Sequence, residues 1–290
     1  MTYPSDVGVV DLMIGFPSSD AGRHYDNLRS MTKDAGSRTM EFPAGYMFKD
    51  VPNRLDEGRD PVAETIEAMD RNGVAVGLVS LGNESTRSAL ERHPTRFAPS
   101  LEVDPNDIGG AVRRIRDAHV EHGIKAVTTF PAGCNPQVPV SDRRYYPIYQ
   151  TCVDLDIPIV ANAGIAGPRV PSACQDVLHF DQVCYDFPDL RIVMRHGAEP
   201  WEDLAVKLML KWPGLYYMTS AFAPQYYPKA IVDYANSRGT AKILYAGYFP
   251  MGLSLDRIFG EMPDVPFRDH VWRPFLRENA ERVFALEVKP

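Results

Sequence analysis

The sequence lacks any apolar run approaching the roughly 18 residues of a membrane span, and it lacks a cluster of basic residues. Its 31 Lys and Arg residues stand against 38 Asp and Glu residues, which gives a formal net charge of −7. This balance argues against a nucleic-acid partner or an anionic membrane surface. The first residues, Met-Thr-Tyr-Pro-Ser-Asp, do not resemble a signal peptide, and we therefore expect a cytoplasmic protein.

Cysteine and histidine are also few. The four cysteines are widely spaced without a Cys-x-x-Cys pair, so neither a disulfide framework nor a cysteine-rich zinc site is indicated, and we expect reduced thiols. The seven histidines include no His-x-His pair. His119 and His122 stand at the end of a predicted helix, where they would support the fold, whereas His24 lies in a long loop that leads from the first predicted strand.

Eight apolar runs alternate with segments of helical length. No hairpin turn joins them, and strands separated by helices predict a parallel sheet. Eight such units predict an α/β fold of the (β/α)8 type, a TIM barrel. The runs are Val7–Ile14, Val74–Leu81, Phe97–Val103, Ile124–Phe130, Ile157–Ala163, Leu190–His196, Leu215–Thr219 and Lys242–Gly247.

The helix boundaries support this order. Asp60 and Pro61 supply an N-cap and a first helical residue, and the helix that they begin ends at Asn72. Two further helices are predicted over Gly109–His122 and Trp201–Trp212, each followed by a stop signal that contains glycine.

We expect one domain over residues 1–290, with C-terminal helices from Leu253 onward. Residues 16–60 form an unusually long connection after the first strand, and they are predicted to form a lid over the barrel mouth. Its apolar side chains either close on a ligand or simply pack the loop onto the barrel. They are Phe42, Tyr46, Met47 and Phe48.

Five segments carry a resemblance to a known family. They read Val-Val-Asp-Leu-Met-Ile at 9–14, Ile-Pro-Ile-Val-Ala-Asn-Ala-Gly at 157–164, Phe-Pro-Asp-Leu-Arg-Ile-Val-Met-Arg-His-Gly at 187–197, Lys-Ile-Leu-Tyr-Ala-Gly-Tyr-Phe-Pro-Met at 242–251 and Glu-Asn-Ala-Glu-Arg-Val-Phe-Ala-Leu at 278–286. In order and spacing they resemble the amidohydrolase-related barrels, which include aminocarboxymuconate semialdehyde decarboxylase and the resorcylate decarboxylases. The resemblance implies a TIM barrel and a homodimer.

The same resemblance implies a divalent metal, usually zinc. The family holds it with Asp-x-His-x-His on the first strand, a histidine ending the fifth strand and an aspartate after the eighth, and a further histidine ends the sixth. This sequence keeps Asp11 but has Met13 and Gly15 at the two histidine positions. Asn162 and Tyr248 replace the other two ligands.

Thioether, amide and phenol groups are poor zinc ligands beside imidazole and carboxylate. We therefore expect no metal and no cofactor. A zinc-dependent hydrolase or decarboxylase with relocated ligands stays open as an alternative.

Four polar side chains are predicted to converge at the carboxyl ends of the strands. His196 would be a general acid or base, and Tyr248 a proton donor or oxyanion stabiliser. Asn162 would orient the substrate, and Asp11 would hold His196 in one tautomer. Arg195 is expected to point to the helical layer, because neighbouring strand residues face opposite sides.

Further residues are candidates for substrate binding. Arg169 is placed to meet a carboxylate, and Glu199 either meets the substrate or caps the helix that follows. A largely apolar and aromatic wall is also predicted, part of which we expect in the core. Its members are Met13, Phe130, Tyr217, Thr219 and Phe222.

These residues predict a metal-independent enzyme that acts on a small carboxylated or carbonyl-bearing molecule. Its reaction would be hydrolysis, hydration or carbon–carbon cleavage, including decarboxylation. A non-catalytic ligand-binding protein or partner subunit that uses the same pocket is the other alternative.

Overall fold

The computed structural model describes residues 3–4, 6–18, 25–48, 51–52, 54–56 and 58–288. His24 and parts of the predicted lid lie outside these residues. Eight parallel strands form one sheet in chain order. They are β1 Val9–Asp11, β2 Val74–Ser80, β3 Phe97–Glu102, β4 Ala126–Thr129, β5 Ile159–Asn162, β6 Ile192–Arg195, β7 Leu215–Met218 and β8 Ile243–Leu244.

The chain after β8 lies beside the chain after β1 and is hydrogen-bonded to it. The backbone N–H of Leu12 donates to the carbonyl of Tyr245 over 3.4 Å, and that of Gly15 donates to the carbonyl of Phe249 over 2.8 Å. These bonds bring both edges of the sheet together. The predicted TIM barrel is thus confirmed, with each strand lying inside its predicted apolar run.

Helices lie between successive strands and after the last one. They are α1 Asp26–Met31, α2 Ala35–Thr39, α3 Pro61–Arg71, α4 Glu84–Arg92, α5 Ile108–His122, α6 Tyr146–Asp154, α7 His179–Asp186, α8 Glu202–Lys211, α9 Lys229–Ala235, α10 Leu255–Glu261, α11 Asp269–Arg273 and α12 Asn279–Phe284. None of the helices that the structure describes is long and apolar enough to span a bilayer.

The predicted helix ends are found as expected. The Asp60 side chain accepts a hydrogen bond from the backbone N–H of Val62 over 3.0 Å at the start of α3. Gly123 ends α5 in the left-handed conformation, with φ of 62°.

Most buried apolar residues form two layers, one inside the barrel and one between the sheet and the helices. On β6, Val193 packs inside the barrel, whereas Ile192 and Met194 pack toward the helices. Since successive side chains alternate, this phase determines which residue at the end of each strand faces the barrel mouth.

Candidate active site

A cavity of about 1350 Å³ opens at the carboxyl ends of the strands. It lies where TIM-barrel proteins carry their sites. Seven of the predicted site residues line it, together with Phe42, Met47 and Phe48 from the segment after β1. The seven are Met13, Phe130, Asn162, His196, Glu199, Phe222 and Tyr248.

Arg195 also lines this cavity, so the prediction that it points to the helical layer is wrong. On β6, Val193 faces the barrel interior, and two residues later Arg195 faces the same way. The Arg195 side chain is buried, and its Nε donates to Oδ1 of Asn162 over 2.5 Å. Asn162 therefore anchors the arginine rather than standing alone as a substrate-orienting group.

The charge of Arg195 is only loosely paired. Its nearest carboxylate among the described residues, Oε2 of Glu102, lies 3.9 Å from the guanidinium, beyond hydrogen-bond range, and more than half of the Glu102 side chain is exposed. Burial lowers the pKa of Arg195 from its usual range, but a guanidinium stays charged at neutral pH. A buried cation at the cavity wall favours an anionic ligand.

His196 reaches the cavity through a turn in the backbone directly after β6. It has a φ of 70°, and Gly197 and Ala198 follow with φ values of 92° and 59°. Three successive left-handed residues reverse the normal alternation, which would have directed His196 toward the helices. A Cβ on residue 197 would lie 2.3 Å from the ring of Phe222, so only glycine fits there. Such strained backbone is typical of functional sites.

Ser220, which the sequence analysis missed, holds the His196 ring. Its Oγ accepts a hydrogen bond from the His196 backbone N–H and lies 3.1 Å from Nδ1 of the imidazole. The ring also meets Tyr248 edge-on, with 5.4 Å between the ring centroids. Burial, followed by the charge of Arg195, holds the pKa of His196 well below its usual range, so the ring is neutral at pH 7.

Asp11 does not orient His196, which corrects the role predicted for it. Its side chain is fully buried on the outer side of β1, and its Oδ1 accepts from the backbone N–H groups of Met13 and Gly247 over 2.9 and 2.8 Å. The Tyr245 hydroxyl donates to Oδ2 over 3.3 Å. Neither Asp11 oxygen forms a hydrogen bond to His196. Asp11 therefore joins β1 to the chain after β8 rather than lining the cavity.

Because burial raises the pKa of Asp11 from 3.8 to about 6, we expect Asp11→Asn to stabilise the protein at neutral pH. In the unmodified protein the pKa of Asp11 is higher in the folded state than in the unfolded state. The protonated carboxyl therefore contributes to stability fully below about pH 4, and this contribution is lost as the pH rises through about 6. Each pKa unit is worth about 1.4 kcal/mol, so the gain from the neutral amide at pH 7 is at most about 3 kcal/mol.

Urea unfolding of both proteins at about pH 4 and pH 7 measures this effect. The stability difference between Asp11→Asn and the unmodified protein should be larger at pH 7. Equal differences at both pH values would show that the buried carboxyl does not titrate in this range.

Tyr248 joins the cavity wall to the segment after β1. Its ring stacks on Phe48, with 5.6 Å between centroids and 30° between planes, and Phe42 packs beside both. Burial raises the pKa of Tyr248 above its usual range, so the phenol keeps its proton at neutral pH. The hydroxyl has no hydrogen-bond partner among the described residues and is not sealed from the cavity.

Arg169 lies outside the cavity. Its guanidinium pairs with Oδ2 of Asp34 over 3.0 Å and covers the ring of Tyr46, whose hydroxyl donates to the carbonyl of Gly167 over 2.7 Å. Arg169 therefore holds the segment after β1 against the loop that follows β5. The Arg169 guanidinium, which the sequence analysis expected to bind a substrate carboxylate, is thus paired with Asp34 instead.

The remaining candidates divide between wall and core. Tyr217 and Thr219 are buried behind the strands, and their hydroxyls donate to the carbonyls of Gly197 and Ala246. Glu199 lies on the cavity rim and makes no side-chain cap for α8. Burial and then the charge of Glu202 raise its pKa, so this carboxylate is more basic than usual.

The polar groups at the family's metal positions do not fit a divalent cation. The oxygen of Asn162 already accepts from the Arg195 cation, and one Asp11 oxygen accepts from two backbone N–H groups. Within the part of the chain that the structure describes, no three His, Cys, Asp or Glu side chains converge closely enough to hold a metal.

Solved structures share this barrel. An uncharacterised TIM-barrel protein from Bordetella bronchiseptica superposes with a TM-score of 0.75 at 22% identity, over 96% of this chain and 98% of its own. A 5-carboxyvanillate decarboxylase from Novosphingobium aromaticivorans gives a TM-score of 0.67 at 17% identity, over 99% and 100%. A dihydroxybenzoic acid decarboxylase from Polaromonas gives 0.64 at 15% identity, over 96% and 97%.

Both decarboxylase structures contain manganese, one with 4-hydroxy-3-methoxy-5-nitrobenzoic acid and the other with the inhibitor 2-nitroresorcinol. The prediction of no metal and no cofactor for this protein, made from the replaced ligands, is therefore wrong. The substrate assays are therefore made both with and without added manganese.

No curated protein matches this sequence. The family model described as Amidohydrolase matches residues 20–286, which is most of the chain. The match agrees with the eight-stranded barrel and confirms the family resemblance, and it includes four of the five sequence segments, those from residue 157 onward. The chain therefore belongs to the amidohydrolase family.

Proposed function

We propose that this protein is a lyase or hydrolase that acts on a small, flat organic acid, at a bond next to a carboxyl or carbonyl group. The observation that supports this proposal most strongly is the meeting of Arg195, His196 and Tyr248 at one cavity wall. A cation, an imidazole and a phenol are sufficient to hold an anion and to stabilise charge that develops beside it.

The chemistry of the cavity suggests how a substrate is held. Arg195 would pair with the carboxylate, and Asn162 keeps the guanidinium in position through the bond to Nε. Phe130, Phe222 and Met13 offer an apolar wall to a planar ring. The aromatic acid bound by the 5-carboxyvanillate decarboxylase has this combination of a planar ring and a carboxylate.

The reacting groups would lie beside Arg195 on the same cavity wall. His196, neutral at pH 7, and Tyr248, which keeps its proton, would act on the oxygen that gains charge as the bond breaks. Glu199, more basic than a usual glutamate, is placed on the rim to accept a proton. The segment that carries Phe42 and Phe48 would act as the lid and exclude water.

A substrate screen tests the proposal. Carboxylated phenols and small unsaturated keto acids would be incubated with the protein, with and without manganese, and conversion would be followed by ultraviolet absorbance and carbon dioxide release. We expect turnover of at least one anionic compound. Ligand-induced thermal stabilisation without turnover, in both metal conditions, would instead support a binding protein.

Tyr248→Phe should lower kcat by about 10-fold to 100-fold and change KM little, because the variant loses only the proton donor. The phenylalanine ring keeps the stacking on Phe48 and the edge contact with His196. Steady-state kinetics on the best substrate of the screen measure this effect. An unchanged kcat would remove Tyr248 from the proposed chemistry.

A further inference from the structure

Ser220 contacts both the backbone N–H and the ring Nδ1 of His196, and the positions of the hydrogens in these two contacts can be derived. Ser220 is fully buried, so each of its hydrogen-bonding groups needs a partner inside the protein. Its Oγ accepts from the backbone N–H of His196 over 3.1 Å. The hydroxyl hydrogen must therefore find an acceptor elsewhere.

Among the described residues, the atom placed to accept that hydrogen is Nδ1 of His196, 3.1 Å from Oγ. A neutral imidazole has one protonated nitrogen and one acceptor nitrogen. If Nδ1 carried the proton, it would donate to Oγ, and the buried hydroxyl hydrogen would have no acceptor. If Nδ1 is the acceptor, both groups of Ser220 are satisfied.

We propose that Ser220 fixes His196 as the tautomer protonated on Nε2, so that the imidazole presents a hydrogen-bond donor to the cavity. Nε2 has no hydrogen-bond partner within the described residues, and it is not sealed from the cavity. Ser220 is thus a positioning residue that acts through His196, in the role that the sequence analysis gave to Asp11.

The tautomer changes what the site can do. Arg195, Nε2–H of His196 and the hydroxyl of Tyr248 are all donors at one cavity wall. Three donors form a pocket for an oxyanion, such as a carboxylate, an enolate or a phenolate. This use of the donor rests on the proposed function, whereas the tautomer itself does not. The proton acceptor would then be a rim carboxylate, for which Glu199 is placed, and not His196.

Nuclear magnetic resonance of the full chain tests the tautomer without any substrate. In protein labelled with 15N-histidine, long-range proton–nitrogen spectra near neutral pH distinguish a protonated ring nitrogen from an acceptor nitrogen. The His196 signal is the one of seven histidine signals that disappears in His196→Gln. We expect Nε2 to carry the proton. A proton on Nδ1, or exchange between both nitrogens, would overturn the proposal.

Two variants show whether Ser220 determines the tautomer of His196. Ser220→Ala should give a mixture of tautomers, because no hydroxyl then donates to Nδ1. Ser220→Thr keeps a hydroxyl at this position and should keep the single tautomer. A single Nε2–H form in Ser220→Ala would remove Ser220 as the positioning residue. If Ser220→Ala does not fold, the spectrum of the unmodified protein still decides the tautomer.

The two proposals fail separately. If the spectrum shows the Nε2–H tautomer but the protein converts no compound of the screen, the tautomer proposal stands and the proposed enzymatic function fails. Turnover with His196 protonated on Nδ1 would leave the enzyme in place and make Nε2 an acceptor, which is the role of a base.

Discussion

Arg195→Met should lower kcat/KM for an anionic substrate by about 100-fold to 1,000-fold. The guanidinium is the buried cation of the cavity wall, and methionine fills a similar volume without charge. The change strands no buried ion, because the Glu102 carboxylate is largely in water. We expect most of the loss in KM, since the cation binds the carboxylate both before and during the reaction.

The variant Arg195→Lys is the matched control. Lysine keeps the charge, but its ammonium group cannot bond to Asn162 and also present two parallel N–H groups to a carboxylate. We therefore expect a loss of kcat/KM that is intermediate between those of the unmodified protein and Arg195→Met. Binding of 4-hydroxy-3-methoxy-5-nitrobenzoic acid, measured by calorimetry with and without manganese, gives a readout that needs no turnover. An unchanged KM and unchanged binding in Arg195→Met would show that the anion lies elsewhere.

The same variant has a second, electrostatic consequence. The charge of Arg195 contributes to the low pKa of His196, so Arg195→Met should raise that pKa toward its ordinary value. A nuclear magnetic resonance titration of the His196 ring measures the direction. A pKa that does not rise would show that the two groups are not coupled.

The architecture was predictable because it depends on patterns that recur along the chain. Eight apolar runs, each followed by a helical segment with its own cap, leave few alternatives to a parallel barrel. Asp60 at the start of α3 and Gly123 at the end of α5 show that local signals fixed these boundaries. The sequence could also place His196, Asn162 and Tyr248 at the mouth, because each follows or ends a strand.

The orientation of side chains was harder to predict, because barrel strands are buried on both faces and read as continuous apolar runs. On β6 the sequence analysis placed His196 inside the barrel and Arg195 outside. The structure places both at the cavity, because the alternation from Val193 brings Arg195 inside and the left-handed backbone then turns His196 back. Positive φ at a histidine leaves no trace in the sequence.

Ser220 was missed for a related reason. On β7 the residues Tyr216 and Met218 face the barrel interior, so the same alternation continued to position 220 would have selected serine instead of Thr219. Neither Thr219 nor Ser220 by itself indicates which of the two side chains faces the barrel interior. The carboxylate of Asp11 was the partner expected for His196 by analogy with a catalytic triad, but in the structure it is bonded to the backbone just after β1 and just after β8.

His196→Asn should lower kcat by about 100-fold or more, because it removes the group at Nε2 from the cavity. The asparagine amide ends near the place of Nδ1, where it can still bond to Ser220, so the fold should be kept. Thermal unfolding checks this point, and kinetics on the best substrate of the screen measure the loss. A rate equal to that of the unmodified protein would remove His196 from the proposed centre.

His196→Gln separates the two chemical roles of this residue. The glutamine amide extends to about the position of Nε2, where it supplies an N–H donor but cannot act as a base at neutral pH. If His196 is a donor to an oxyanion, His196→Gln should lose markedly less activity than His196→Asn. If His196 is instead the base, both variants should lose the same large factor. The ratio of the two rates thus gives the direction of the hydrogen bond in the reacting complex, whereas the nuclear magnetic resonance spectrum gives it in the resting protein.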